Sequence, residues 1–130
     1  MDINKVLPVS DAVENGVWIN FDEETSFLIR STECKEYTRA MQKHSRKLKG
    51  DQAKSIAAAR MITMQCMRDA IVVDWKGLKN KGKDLPCTPE NIELVLKVPA
   101  IRDFIADQAQ EHANYQRESL TAEAEAVKKK

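Results

Sequence analysis

The side chains able to do chemistry in this chain are few and far apart. His44 and His112 fall in separate helix-forming stretches, and neither has an acidic partner at the helical spacing a metal-ligand pair needs. His112 reads as a side chain at the edge of the core on the last helix. Cys34, Cys66 and Cys87 are an odd number and widely separated, with no second Cys or His at ligand spacing. A thiol on an apolar helix face behaves as a small hydrophobe, so Cys34 and Cys66 are expected inside and unreactive, all three reduced as in a cytosolic protein. Gly77 and Gly82 match neither the Walker nor the dinucleotide spacing, so the Lys-rich stretch Lys76 to Asp84 reads as a solvated loop and not a phosphate cradle. Arg39, Lys43, Arg46, Lys47 and Lys49 form the one local concentration of charge. It has no interleaved aromatics and is diluted by Glu33, Glu36 and Asp51. A solvated helix face is expected there, with an acidic protein partner or nucleic acid as the alternatives. No acid, base and nucleophile set results, so a non-enzymatic protein is expected, with no catalytic residue, cofactor or metal.

The whole chain supports a binding role without pointing to a polyanion. Its 130 residues suit one domain with a modest core. The 21 basic and 20 acidic residues leave a net charge of +1, which makes nucleic acid an unlikely general partner. Hydrophobic residues make up 42% and aromatic residues 5%, a profile that favours helices. The opening Met1-Asp2 lacks a basic and apolar leader, and no apolar run approaches the roughly 20 residues that span a bilayer. A cytoplasmic location without membrane contact is expected.

The elements follow from periodicity. Residues 1 to 15 read as an irregular arm or short strand. Val17, Ile19 and Phe21 alternate with Trp18, Asn20 and Asp22, a turn follows, and Phe27 to Arg30 is again extended, so a β-hairpin is expected over about 16–30. Such a hairpin must lean on helices or pair an edge with another strand. Trp18 lies on the face opposite Val17 and Ile19, leaving apolar groups on both sides for packing or for a partner.

Ser31 or Thr32 is expected to cap a helix with Cys34, Tyr37, Met41 and Leu48 inward, ended by Gly50. Asp51 would then cap a long central helix antiparallel to it. Ile56, Ala59, Ile62, Thr63, Cys66, Met67, Ala70, Ile71 and Val73 fill its broad apolar arc, and Lys54, Gln65, Arg68 and Asp69 its polar side, with Trp75 at its end. Thr88-Pro89-Glu90 starts a short helix that turns Ile92, Val95 and Leu96 inward. Pro99 stops it and opens another, which buries Ile101, Phe104, Ile105, Gln108, Ala109 and His112 and lasts to about Arg117. The expectation is a mainly α domain over 1–117, about four helices with a small N-terminal β-hairpin, followed by a flexible tail over 118–130.

The order of these features carries a resemblance. Gly16-Val17-Trp18-Ile19 opens a hairpin that Phe27-Leu28-Ile29-Arg30 closes, and a charged helix with Glu36-Tyr37 follows. Then come Val72-Val73-Asp74-Trp75-Lys76-Gly77-Leu78, Leu85-Pro86, Thr88-Pro89-Glu90-Asn91 and Ile101-Arg102-Asp103-Phe104-Ile105. Over residues 16 to 117 this resembles the tail assembly chaperones of long-tailed bacteriophages. The resemblance implies a protein that binds the tape measure protein while the tail tube polymerises, with the tail tube protein and a second copy of the chain as further partners, and that is absent from the mature virion. It also implies a longer form made by ribosomal frameshifting, for which codons 128 to 130 of Val127-Lys128-Lys129-Lys130 would supply the slip. Partner contact is assigned to Trp18, Phe27, Arg39, Lys43 and Trp75. A small helical nucleic-acid-binding regulator, using the basic face, is the competing reading.

Overall fold

A computed structural model describes residues 1–48, 50 and 55–121. Two short helices, α1 (Ile3–Val6) and α2 (Ser10–Asn15), form the N-terminal arm. Strands β1 (Val17–Asn20) and β2 (Ser26–Ile29) follow, then helices α3 (Lys35–Ser45) and α4 (Ile56–Cys66), a π turn over Met67–Ile71, and strand β3 (Val72–Lys76). A small ribbon of β4 (Lys79–Asn80) and β5 (Lys83–Asp84) leads to α5 (Pro89–Leu96), α6 (Pro99–Gln110) and a 3-10 turn, His112–Tyr115.

The expected mainly α, four-helix domain is corrected to a mixed α/β fold. Among the described residues it is 58% helical and 16% strand, with antiparallel sheets of three and two strands. The decisive difference lies at Val72 to Trp75. Read by period, Val73 continued the arc of the central helix. The π turn instead ends that helix, and the β-branched pair Val72-Val73 enters an extended conformation that suits it. β3 then pairs antiparallel with β2, matching Phe27 with Trp75 and Leu28 with Asp74, with an irregularity between Leu28 and Ile29. The hairpin therefore gains its third strand from 43 or more residues further along the chain, in the order β1-β2-β3.

One face of the sheet is the core. Phe27, Ile29, Val72 and Trp75 pack with Met67 and Ile71 of the π turn and with Ile92, Val95, Leu96, Ile105 and Ala109 of α5 and α6. Tyr115 closes this core from below the arm: its hydroxyl donates to the Ile29 carbonyl at 3.0 Å, and burial pushes its pKa up. A smaller cluster of Ala40, Ile62, Cys66 and Ala70 joins α3 to α4.

Helix ends show where local signals were overridden. Neither Ser31 nor Thr32 caps α3. Cys34 holds the cap position without a side-chain bond, and the Glu14 carboxylate at the end of α2 accepts from the Lys35 N–H at 3.1 Å. Met41, expected inward, is exposed, and His44 is buried in its place. Ser55 caps α4 by accepting from the Ala58 N–H at 2.9 Å. The expected cap Asp51, with Lys49 and Lys54, lies outside the described residues, as does the tail over 122–130 with Val127 to Lys130. At α5, Thr88 accepts from the Asn91 N–H with Pro89 in the first turn. Helix α6 stops at Gln110, short of Arg117, and leaves His112 exposed in the 3-10 turn. The arm is helical and is tied down by a bridge between Pro8 and Gln116.

Candidate functional site

Helix α4 was expected to be central, with a broad apolar arc, yet its N-terminal half leaves large apolar side chains exposed. Ile62, Cys66 and Met67 are buried, but Ile56 is 74% exposed and Met61 50% exposed. Beside it Leu94 of α5 and Val98, which precedes α6, are each 45% exposed. Between the two helices lies an open groove of about 420 Å³ whose apolar surface comes from Ala57, Met61 and Met64 of α4, above the fully buried Leu96. Arg60, Arg68, Glu93 and Lys97 supply its charged margin. The two methionines can adapt their shape to what they meet, a property of surfaces that hold varied apolar partners.

The polar side of α4 is also more than a solvated face. His44 from α3 donates from Nε2 to Asp69 at 2.7 Å, Arg68 donates from Nε to the other Asp69 oxygen at 2.8 Å, and the same guanidinium reaches Glu93 of α5. This chain of four groups ties α3, the π turn and α5 together at the end of the groove. His44 is buried, and its Nδ1 has no hydrogen-bond partner among the described residues. The absence of an acid at helical spacing from His44 was a poor guide, because its partner comes from another element, 25 residues away.

Burial raises the Asp69 carboxyl, but hydrogen bonds from Arg68 and His44 outweigh it and hold the group below its ordinary value of 3.8. A carboxyl depressed in the folded state contributes stability that is fully present above its unfolded pKa and is lost as pH falls through the folded one. The denaturation midpoint should therefore decline below about pH 4. Asp69→Asn should flatten that decline while lowering stability at neutral pH, which urea titrations at several pH values would read.

Of the residues assigned to partner contact, the structure brings together only some. Phe27 and Trp75 face each other across β2 and β3 in the core, at 0% and 7% exposure, so they pack the fold and present nothing to a partner. Trp75 also donates from its indole to the Leu85 carbonyl at 2.6 Å. Trp18 is at the surface on the outer face of the sheet, with the Lys76 ammonium 4.2 Å from its ring centroid. Arg39 is exposed and paired with Glu36 at 2.8 Å. Arg39 and Lys43 share a shallow cavity with Glu36, Arg68 and Asp69, a mixture of signs that suits a phosphate poorly. The groove residues Met61, Met64, Arg60 and Lys97 were not singled out from sequence. The available signal was Ala57, Met61 and Met64 at i, i+4, i+7, outside the arc assigned to the core.

The three thiols are free, and each has its pKa raised. Cys34 and Cys66 are buried and burial raises both, while burial and then Asp74 push Cys87 to about 11. Folded protein at about pH 8 should therefore react with a thiol reagent far more slowly than protein in denaturant, and three rapidly reacting thiols would refute this. Among the described residues, no group of three or more His, Cys, Asp or Glu could hold a metal ion, and no helix is long and apolar enough to cross a membrane.

With this geometry in place, comparison with known proteins separates phage from other origins. A family model described as YdaY prophage protein matches residues 31–129. The chain belongs to the YdaY prophage protein family. It is thereby a phage-derived protein. The region matched to YdaY contains α3, α4, β3, α5 and α6, and with them the groove and the His44 to Glu93 chain; the arm, β1 and β2 precede it. No curated protein and no solved structure matches the chain.

Proposed function

We propose that this YdaY-family protein is a non-enzymatic tail assembly chaperone, which binds the tape measure protein in the host cytoplasm during phage tail morphogenesis and leaves before the virion is complete. The observation that carries this reading is the open apolar groove between α4 and α5, on a chain of phage origin. A tape measure protein is long and helical, and its exposed apolar stripes would self-associate before the tube encloses them. A protein that binds the dispersed form lowers the concentration free to aggregate. Reversibility matters as much as affinity, because tube subunits must displace the cover. A small seat suits that exchange better than an extensive interface.

Co-expression of the chain with a tape measure protein from the same phage provides the test. Soluble yield of the tape measure protein should rise, and the two should elute together on a sizing column. An unchanged yield with no complex overturns the proposal, and salt-sensitive binding to duplex DNA in its place would favour a regulator that uses Arg39 and Lys43.

A further inference from the structure

We infer that the groove between α4 and α5 seats one amphipathic helix of another polypeptide, with acidic residues on both flanks of its apolar stripe. This rests on the chaperone reading, because it names the chemistry of the client segment that the groove would take.

The shape argues for a helix. Ala57, Met61 and Met64 follow one another along α4 at i, i+4, i+7, over roughly 10 Å or two turns, with Glu93 and Lys97 on the α5 side. A straight apolar trough between two helices is filled by a third helix presenting the same spacing, since ridges of side chains then enter the gaps between those of its neighbours. An extended strand would leave its backbone amides facing methionine side chains, without partners.

Charge selects which helix. The trough has one bank on each side. On α4 the bank carries Arg60, with exposed Ile56 one turn before it; on α5 it carries Lys97, with exposed Leu94 three residues before it. Neither Arg60 nor Lys97 has an ion pair among the described residues. Arg68, at the far end, is spoken for by Asp69 and Glu93. Two cations without an ion pair among the described residues thus border the groove, Arg60 from α4 and Lys97 from the end of α5. Glutamate or aspartate on either side of an incoming apolar stripe meets both, and a lysine-flanked helix meets like charge on both.

The test uses the full chain and two synthetic peptides of about 18 residues, a length that spans the trough with turns to spare. Both carry leucines at i, i+4, i+7; one has glutamates flanking the stripe and the other lysines. Anisotropy titration at low salt should show the acidic peptide binding about tenfold tighter or more, an advantage that shrinks as salt is raised. Met61→Asp should abolish binding of the acidic peptide. The double variant R60E/K97E should transfer the preference to the lysine peptide. All three side chains are at the surface, so circular dichroism and the thermal midpoint should match those of the unmodified chain.

Equal affinity for the two peptides, no binding of either, or acidic-peptide binding that survives Met61→Asp would each overturn the inference. So would self-association that Met61→Asp abolishes, which gives the groove to a second copy, or tighter peptide binding after removal of residues 122–130, which gives it to the chain's own end. The chaperone reading fails separately. Peptide selectivity without a gain in soluble tape measure protein removes that reading and leaves the groove, and a gain that Met61→Asp does not diminish removes the groove and leaves the reading.

Discussion

Replacing Phe27 by alanine should lower folding stability by about 4 kcal/mol, near the upper range for deleting a buried aromatic ring. Phe27 is fully enclosed and stands edge-on to Trp75 and to Phe21, with centroids 6.3 and 6.2 Å away, while Phe104 of α6 lies tilted at 6.3 Å. The cavity left by the ring would border the sheet on one side and α6 on another, and two rigid elements cannot both close over it. A urea titration read by far-ultraviolet circular dichroism measures the loss. The contrast is Trp18→Ala on the outer face of the same sheet, where a half-exposed ring and one cation contact are lost and the change should stay within about 1 kcal/mol. Comparable losses for the two would mean that the sheet buries the wrong face.

A second large effect is expected at Gly77. Its φ of +76° is a conformation that side chains disfavour, and a Cβ placed there would sit 2.8 Å from the Glu24 carbonyl carbon and closer still to the oxygen. Both obstacles are backbone, so neither can rotate away. Here the end of β3 passes over the hairpin turn, in which the Asp22 carboxylate accepts the Glu24 and Thr25 amides at 2.9 and 2.6 Å. Gly77→Ala should therefore cost about 3 kcal/mol and loosen the pairing of β2 with β3. Gly82 also has positive φ, but nothing lies within 4 Å of the same added atom. Gly82→Ala should show only the smaller conformational penalty of about 1 kcal/mol, so the difference between the two variants isolates the collision.

What could be read in advance was whatever is encoded within a few residues. Alternation around Val17 and Ile19 marks β1, and Thr88-Pro89-Glu90 marks the start of α5, because each signal acts through its immediate neighbours. Val72 to Trp75 was misread because Val72, Val73 and Trp75 fit a helix arc and a buried strand equally well. The choice falls to β2, which supplies the hydrogen bonds from far away in sequence. The same limit hid the pairing of His44 with Asp69 and the cap that Glu14 provides for α3. Phe27 and Trp75 were assigned to a partner as large aromatics, and the structure places both on the inner face of the sheet. The groove escaped notice because Met61 and Met64 fell outside the apolar arc assigned to the core, and because Ile56, inside that arc, is exposed.

The tie between the two ends of the described chain bears on the timing of folding during synthesis. The Val9 amide donates to the Tyr115 carbonyl at 2.8 Å, the Arg117 amide donates to that of Leu7 at 3.1 Å, and the Tyr115 side chain is buried. The segment around Val9 must therefore wait for Tyr115 and Arg117 to leave the ribosome before it can dock. A translating chain passes through a stage at which sheet and helices have emerged but the latch has not closed, and pauses in that interval would leave the nascent protein open to proteases and to mispairing.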